Sequence, residues 1–304
     1  MKKIITLLLA AILLLSAMLL PACNRENDET GPVEMTDFAG NPINLDRPAQ
    51  RVISFGAADT SLIVDIGAVD RLVARTQWDI APILSDLPVL DGFNVNAEEV
   101  IALQPDVVFT PPNEANRDVW TQLNTAGIAI VVLDAVNIED IHRKIDIISQ
   151  VVGMRSAGNA LSGTIRSGLE AVRQIAENEF NGVVPVYIEL DSFGGFWTAG
   201  GNTFVSEILE LVGGRNVFRA QTGAWVTVSD EQIITANPRA IIFSDWGGHE
   251  PGIEDRPGWD VIYAVEAGYI FGIDANLLAQ AGASVVDLAN ALIEILLVVG
   301  VCPL

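Results

Sequence analysis

Two glutamates, a set of tryptophans and one cysteine are the residues whose types and spacing point to chemistry. Glu98 and Glu231 each fall at the second position of a short helix pattern. In both copies a cap residue, Asn96 or Ser229, stands three before Glu99 or Gln232, the spacing of a capping box. The third helical residue can fold back onto the cap, which leaves the second free to point outward. A carboxylate in the first turn gains about 0.3–1 kcal/mol from the helix dipole alone, so either glutamate by itself says little. As a pair they suit a two-point docking surface for a basic partner, one that sets orientation and association rate more than affinity.

The tryptophans suggest a cleft. Trp197 lies in the glycine-rich loop Gly194–Gly201, and Trp225 in the loop Gln221–Trp225. Trp246 follows a strand ending at Phe243, Trp78 follows Val73–Thr76, and Phe55 closes the strand Val52–Phe55. Each of these five sits near the C-terminal end of a predicted strand, where open α/β sheets bind ligands. Each tryptophan can bury about 150–250 Å² against a large ligand. Trp120 and Trp259 are expected to be structural. No nucleophile elbow, His-Glu-x-x-His or Cys-x-x-Cys motif occurs. His142 is expected on a solvated helix face and His249 in an exposed loop, so no catalytic residue, metal site or cofactor is assigned. The glycine loops have neither dinucleotide nor P-loop spacing.

The elements that must carry these residues alternate. Apolar runs at 52–55, 107–109, 128–133, 186–190, 241–243 and 269–273 predict strands, and helical patterns such as 60–66 and 138–152 lie between them. From Ser156 to Phe180 the apolar residues Leu161, Ile165, Leu169, Val172, Ala176 and Phe180 mark one face of a helix about 37 Å long. It divides the chain almost evenly, as a connector between two α/β lobes would. An internal repeat supports two lobes: Glu98–Val108 lies on Glu231–Ile241 without a gap, and both copies stop at a proline, Pro105 or Pro238.

Composition narrows the class. The 304 residues carry 39 acidic against 17 basic side chains, a net charge of −22, which argues against nucleic acid. Two cysteines exclude a disulfide scaffold and two histidines disfavour a histidine-built metal site. Lys2 and Lys3 precede the apolar stretch Ile4–Leu20, which is short for a membrane span and reads as a secretory signal. Leu20-Pro21-Ala22-Cys23 resembles a bacterial lipobox, in which the cysteine is lipidated and becomes the first mature residue; Pro21 is unusual there, and an uncleaved anchor or a plain signal peptide is the alternative. The expected divisions are a signal peptide (1–22), a polar tether (23–32), an N-terminal lobe (33–154), a connecting helix (155–181) and a C-terminal lobe (182–304). The expected location is the outer face of the cytoplasmic membrane or the periplasm.

Further motifs carry a family resemblance. They are Thr36–Gly40 followed by Arg51–Ser54, Gly67–Arg71, Asn96–Glu99 with Gln104–Val107, Trp197–Gly200, Glu210–Phe218, Trp225–Gln232 and Arg256–Trp259. Together they resemble the solute-binding lipoproteins of bacterial ABC importers for iron–siderophores and vitamin B12. The resemblance implies two Rossmann-like α/β lobes on a single long backbone helix (the class III arrangement), with small hinge motion and a monomeric chain. It implies that Glu98 and Glu231 meet arginines of a membrane permease that works with an ATPase. It also places Trp197 and Trp225 in the ligand cleft, with the Trp225–Glu231 stretch most like the B12-binding branch. Many members carry Pro-Arg near the start of the last helix, where this chain has Ala283-Ser284. The only cleft cations expected are Arg75 and Arg219, so an aromatic, charge-poor cleft favours a corrinoid over an anionic ferric siderophore, with haem a further possibility. A surface enzyme or a sensor lipoprotein on the same scaffold are the competing readings.

Overall fold

The computed structural model describes residues 30–247 and 252–300. The signal segment, Cys23, most of the tether and His249 lie outside the described residues.

Short β-branched runs bounded by glycine, proline and polar residues become strands, and helices return the chain between the strands of each parallel sheet. The N-terminal half begins with an antiparallel hairpin, β1 (Val33–Thr36) and β2 (Pro42–Leu45). It continues through β3 (Val52–Ser54), α1 (Ala57–Asp65), β4 (Arg75–Thr76), β5 (Val89–Leu90), α2 (Ala97–Ala102) and β6 (Val107–Thr110). It ends with α3 (Arg117–Thr125), β7 (Ala129–Val132) and α4 (Ile138–Val151). The parallel sheet runs β3-β6-β7, and β4 and β5 form a parallel pair joined to β3 through a bridge between Val52 and Leu72.

The predicted connector is α5 (Arg155–Glu179). Ile165, Leu169, Val172 and Ala176 form its buried stripe. The C-terminal half then runs β8 (Val184–Glu189), β9 (Phe196–Ala199), α6 (Phe204–Leu211), β10 (Gly214–Asn216), β11 (Trp225–Val228), α7 (Asp230–Ala236) and β12 (Ala240–Asp245). It closes with α8 (Tyr263–Glu266), β13 (Ile270–Asp274), α9 (Ala275–Ala279) and α10 (Val285–Val299). Its sheet is β10-β8-β12-β13, parallel throughout, and β9 pairs antiparallel with β11 in a separate ribbon.

One hydrophobic core passes through both halves. Leu62 and Ile145 of the first, the stripe of α5, and Val186, Ile208 and Leu292 of the second belong to a single buried cluster. Each half adds a smaller core of its own, one around Ile53, Val108 and Leu123, the other around Tyr187, Ile241 and Trp259. A shared core of this size resists independent movement of the lobes.

Polar contacts pin the junction as well. The Phe204 N–H donates to the Val136 carbonyl at 2.6 Å, and the Ile138 N–H at the start of α4 donates to Glu207 Oε2 at 2.8 Å. Buried Lys144 pairs with buried Asp59 at 2.8 Å and reaches the Ala281 carbonyl at 3.3 Å. Burial pushes the Asp59 carboxyl up, and the Lys144 ammonium opposes that push. Removing one member of such a pair costs about 3–5 kcal/mol, because the other charge stays buried. Val136 follows β7, and Ala58, beside Gly282, follows β3. Phe204 follows β9, and Gly282 follows the β13–α9 unit. The segments that follow β3 and β7 therefore meet, at the junction, those that follow β9 and α9.

His142 departs from expectation: it is buried, with Nδ1 3.2 Å from Ser162 Oγ on α5. Burial pushes its imidazole below the ordinary value, with Arg166 adding to the effect. The helix α4 turns this face to the connector rather than to water.

Candidate functional site

Trp197 and Trp225 occupy strands, not the loops the glycine-rich sequence suggested. In the β9–β11 ribbon Trp197 pairs with Thr227 and Trp225 with Ala199. Residues directly opposite each other share a face, and so do residues two apart along a strand. Trp197 and Trp225 thus stand diagonally on one face of the ribbon, 40% and 43% exposed. Phe196 and Val228 take the other face and pack into the core around Trp259. The alternation Phe-Trp-Thr-Ala against Trp-Val-Thr-Val was the signal for this ribbon, and the flanking glycines masked it.

Those glycines bring backbone close to backbone. A Cβ on Gly200 would lie 1.8 Å from the Gly223 carbonyl oxygen, and one on Gly201 would lie 2.0 Å from that of Arg219. The Gly200 N–H donates to Ala224 O at 2.9 Å, closing the ribbon just before Trp225. Phe204 meets the Trp225 ring edge-on at 6.4 Å. Since the Phe204 N–H also bonds to Val136, Trp225 stands beside the lobe junction.

Trp246 follows β12 and is 70% exposed. It lines a small hollow of about 100 Å³ with Glu189, Asp191, Ser192 and Phe243, at the C-terminal ends of β8 and β12. In the N-terminal half Trp78 follows β4 and is 39% exposed. The turn that carries it is closed by buried Asp79, whose Oδ2 accepts from the Thr76 N–H at 2.6 Å and the Thr76 hydroxyl at 2.8 Å. Phe93 meets Trp78 edge-on at 4.8 Å, and a Cβ on Gly92 would strike the indole at 2.1 Å. Phe93, Ile80 and Ile83 are exposed alongside, an apolar patch the sequence reading did not single out.

Phe55 is placed differently from the tryptophans. It is 5% exposed and packs into the smaller N-terminal core against Trp120, ring centroids 5.5 Å apart. Its ring supports the lobe from within and is not offered to a cleft. Trp259 is fully buried, as expected of a structural residue.

The two arginines expected near a cleft are occupied locally. Arg75 Nη1 donates to the Asp79 carbonyl at 3.2 Å, and Arg219 pairs with Glu210 at 3.6 Å. Among the described residues, no group of three or more His, Cys, Asp or Glu side chains gathers where a metal ion would sit.

The two predicted glutamates are both exposed at helix N-termini. On α7 the full capping box forms: the Gln232 side chain accepts from the Ser229 N–H at 2.9 Å, and Ser229 Oγ accepts from the Gln232 N–H at 3.4 Å. The Ser229 hydroxyl also donates to Glu231 Oε2 at 2.7 Å and lowers that carboxyl's pKa. On α2 the cap differs, since Asn96 Oδ1 accepts from the Glu98 N–H at 2.9 Å.

A larger groove, about 730 Å³, lies elsewhere, along the outer edge strand β7 between β2 and α3. It contains none of the four exposed tryptophans, and it is lined by Asn41, Asn113, Arg117 and Asn124 among others.

No described helix is long and apolar enough to cross a membrane. Residues 52–277 match the family described as periplasmic binding protein. The chain is 27% identical to an uncharacterized ABC transporter substrate-binding lipoprotein, YvrC, of Bacillus subtilis, over 93% of this chain and 95% of that one. It is 26% identical to a vitamin B12-binding protein of Vibrio campbellii, over 70% of this chain and 82% of that one. Its fold is similar to that of the periplasmic heme-binding protein RhuT from Roseiflexus sp. RS-1, with a TM-score of 0.73, 21% identity and coverage of 83% and 99%. Two parallel α/β lobes on one 25-residue helix are the class III arrangement, and the chain belongs to the periplasmic binding protein family.

Proposed function

We propose that this chain is the extracytoplasmic solute-binding component of an ABC importer, and that it captures a large metal chelate between its lobes. A cobalamin-type corrinoid is favoured, with a ferric siderophore or haem next. The observation that carries this reading is the diagonal pair Trp197 and Trp225, two half-exposed indoles on one rigid ribbon face beside the lobe junction. Flat apolar surface of this kind suits a broad, partly planar guest. Trp246 adds to the same lobe, and Trp78 with Phe93 supplies an aromatic surface on the other. Arg219 is paired with Glu210, and Arg75 donates to the backbone carbonyls of Thr76 and Asp79 and keeps its charge, so an anionic chelate would find at most one unneutralised cation of the two. The related B12-binding and heme-binding proteins support the same ligand class.

In this reading Glu98 and Glu231 dock onto arginines of the permease. A helix leading into a parallel strand runs antiparallel to it, so the N-termini of α2 and α7 lie toward the C-terminal ends of β6 and β12. Each lobe thereby offers one carboxylate on the side that bears the cleft. Residues 1–22 act as signal peptide and 23–32 as tether, with Cys23 the lipid-bearing residue at the outer face of the cytoplasmic membrane. Residues 33–154 and 182–304 are the lobes, joined by 155–181. The protein acts as a monomer and carries no catalytic machinery.

The test is calorimetric titration of the mature protein with cyanocobalamin, haemin and a ferric hydroxamate. Micromolar or tighter binding of one of them is expected. Failure of all three to bind contradicts the proposal.

A further inference from the structure

The hollow beneath Trp246 is floored by Glu189 at the end of β8, and Glu189 begins a continuous chain of contacts through the C-terminal lobe. Arg256 grips its carboxylate with both guanidinium nitrogens, at 2.5 and 2.6 Å, and the Tyr187 hydroxyl donates to Oε2 at 3.2 Å. The same guanidinium lies over two rings, Phe196 at 4.9 Å and Trp259 at 4.5 Å. Phe196 is the residue of β9 next to Trp197. The Trp259 indole N–H in turn donates to Asp230 Oδ1 at 2.7 Å. Asp230 is the first residue of α7 and the neighbour of Glu231. Three links, Glu189 to Arg256, Arg256 to Trp259 and Trp259 to Asp230, therefore run without a break from the hollow to the helix that carries Glu231, with Tyr187 and Phe196 as side branches. Glu189, Tyr187 and Trp259 are buried, and Arg256 and Phe196 are partly so, a setting that strengthens charge-assisted hydrogen bonds and cation–π contacts.

We propose that Arg256 and Trp259 are positioning residues that bind the tryptophan ribbon and the helix α7 into one body, so that Trp259 fixes where Glu231 stands relative to the cleft. Without the indole N–H, α7 keeps its own capping box and the buried Ile233 but loses its polar tie to the lobe interior, and Glu231 meets the permease from a looser helix. The inference rests on the docking role given to Glu231 above.

The experiment is a double-mutant cycle in cells of the source organism that express the full-length protein. Its readout is the initial rate of uptake of radiolabelled cyanocobalamin at limiting concentration, with haemin and a ferric hydroxamate as replacement probes. The variants are Trp259→Phe, which keeps one aromatic ring and removes the N–H together with the pyrrole part of the buried indole, Glu231→Ala, and the two combined. Asp230→Asn weakens the same bond from its other end and serves as the second variant should Trp259→Phe not accumulate. The expected result is that Trp259→Phe slows uptake about fivefold in the parent and adds nothing once Glu231 is alanine. Equal effects of Trp259→Phe in both backgrounds, or no effect in either, overturn the inference and leave the docking role standing. If Glu231→Ala itself leaves uptake unchanged, the docking role has failed instead.

Discussion

Gln104 and Asn237, 133 positions apart, are the only non-glycine residues with positive φ among the described residues, at 50° and 41°. They are equivalents in the internal repeat: each follows a short capped helix with a glutamate at its second position, and each precedes the proline that leads into an inner strand of a lobe's sheet. A left-handed residue is uncommon outside glycine, because its Cβ crowds the backbone. The same exception in the same place makes the two segments one structural unit used twice. It also gives Glu98 and Glu231 equivalent settings in their lobes.

The exposed repeat position tests this directly. Gln104→Val should lower stability by about 1–2 kcal/mol, since a β-branched residue is poorly tolerated at positive φ, while Gln104→Gly should not lower it. Urea unfolding of both variants decides the matter. Equal losses would mean that side-chain contacts, and not the backbone angle, set the cost.

Replacing either tryptophan of the ribbon should weaken chelate binding by about 1–3 kcal/mol, a factor of roughly five to 150. Trp197→Ala and Trp225→Ala are the variants, and calorimetry with the chelate that the parent binds is the measurement. Thermal stability should change far less, because both rings are half exposed. A change in affinity under twofold for both would place the binding wall elsewhere.

Charge reversal at both helix N-termini separates capture from delivery. Glu98→Arg with Glu231→Arg should leave the chelate affinity of the purified protein intact and abolish uptake in cells. Survival of uptake would remove the docking assignment.

Strong acid should loosen the turn that holds the N-terminal wall. Asp91 Oδ1 accepts from the Phe93 and Asn94 N–H groups at 2.8 and 3.1 Å, and Oδ2 from the Asn94 amide at 3.2 Å. These bonds, those from Asn94 first, hold its carboxyl below the ordinary value of 3.8. A depressed carboxyl contributes its full stabilisation above that ordinary value and loses it as pH falls through the folded pKa. The turn should therefore release Phe93 from Trp78 at pH below about 3.8. The Trp78 indole NMR signal should shift across that range in the parent and not in Asp91→Asn. An identical acid response in both would show that Asp91 does not hold the turn.

Much of the scaffold was legible because each lobe repeats simple patterns. The apolar stripe Ile165–Ala176 marked the connector within a residue of its ends, and the strand runs at 107 and 241 fell on the inner strands β6 and β12. The β9–β11 ribbon was not legible, since Gly194–Gly195 and Gly200–Gly201 surround a four-residue alternation that looks like loop. Phe55 read as a cleft residue because it ends a strand, but its direction is set by Trp120, far away in sequence. His142 was misplaced for a similar reason: which face of α4 meets α5 depends on tertiary packing. The apolar patch of Ile80, Ile83 and Phe93 has no period to reveal it. The network from Glu189 to Asp230 joins residues up to 67 positions apart, which no local pattern records.

The central claim is that this fold carries a bulky metal chelate, and the most direct measurement is mass spectrometry of what travels with the protein. Purified gently from cells of its source organism, the protein should release a corrinoid, a haem or a ferric siderophore in near-equimolar amount. Release of a sugar, an amino acid or a peptide at that stoichiometry, with no metal chelate, would contradict it.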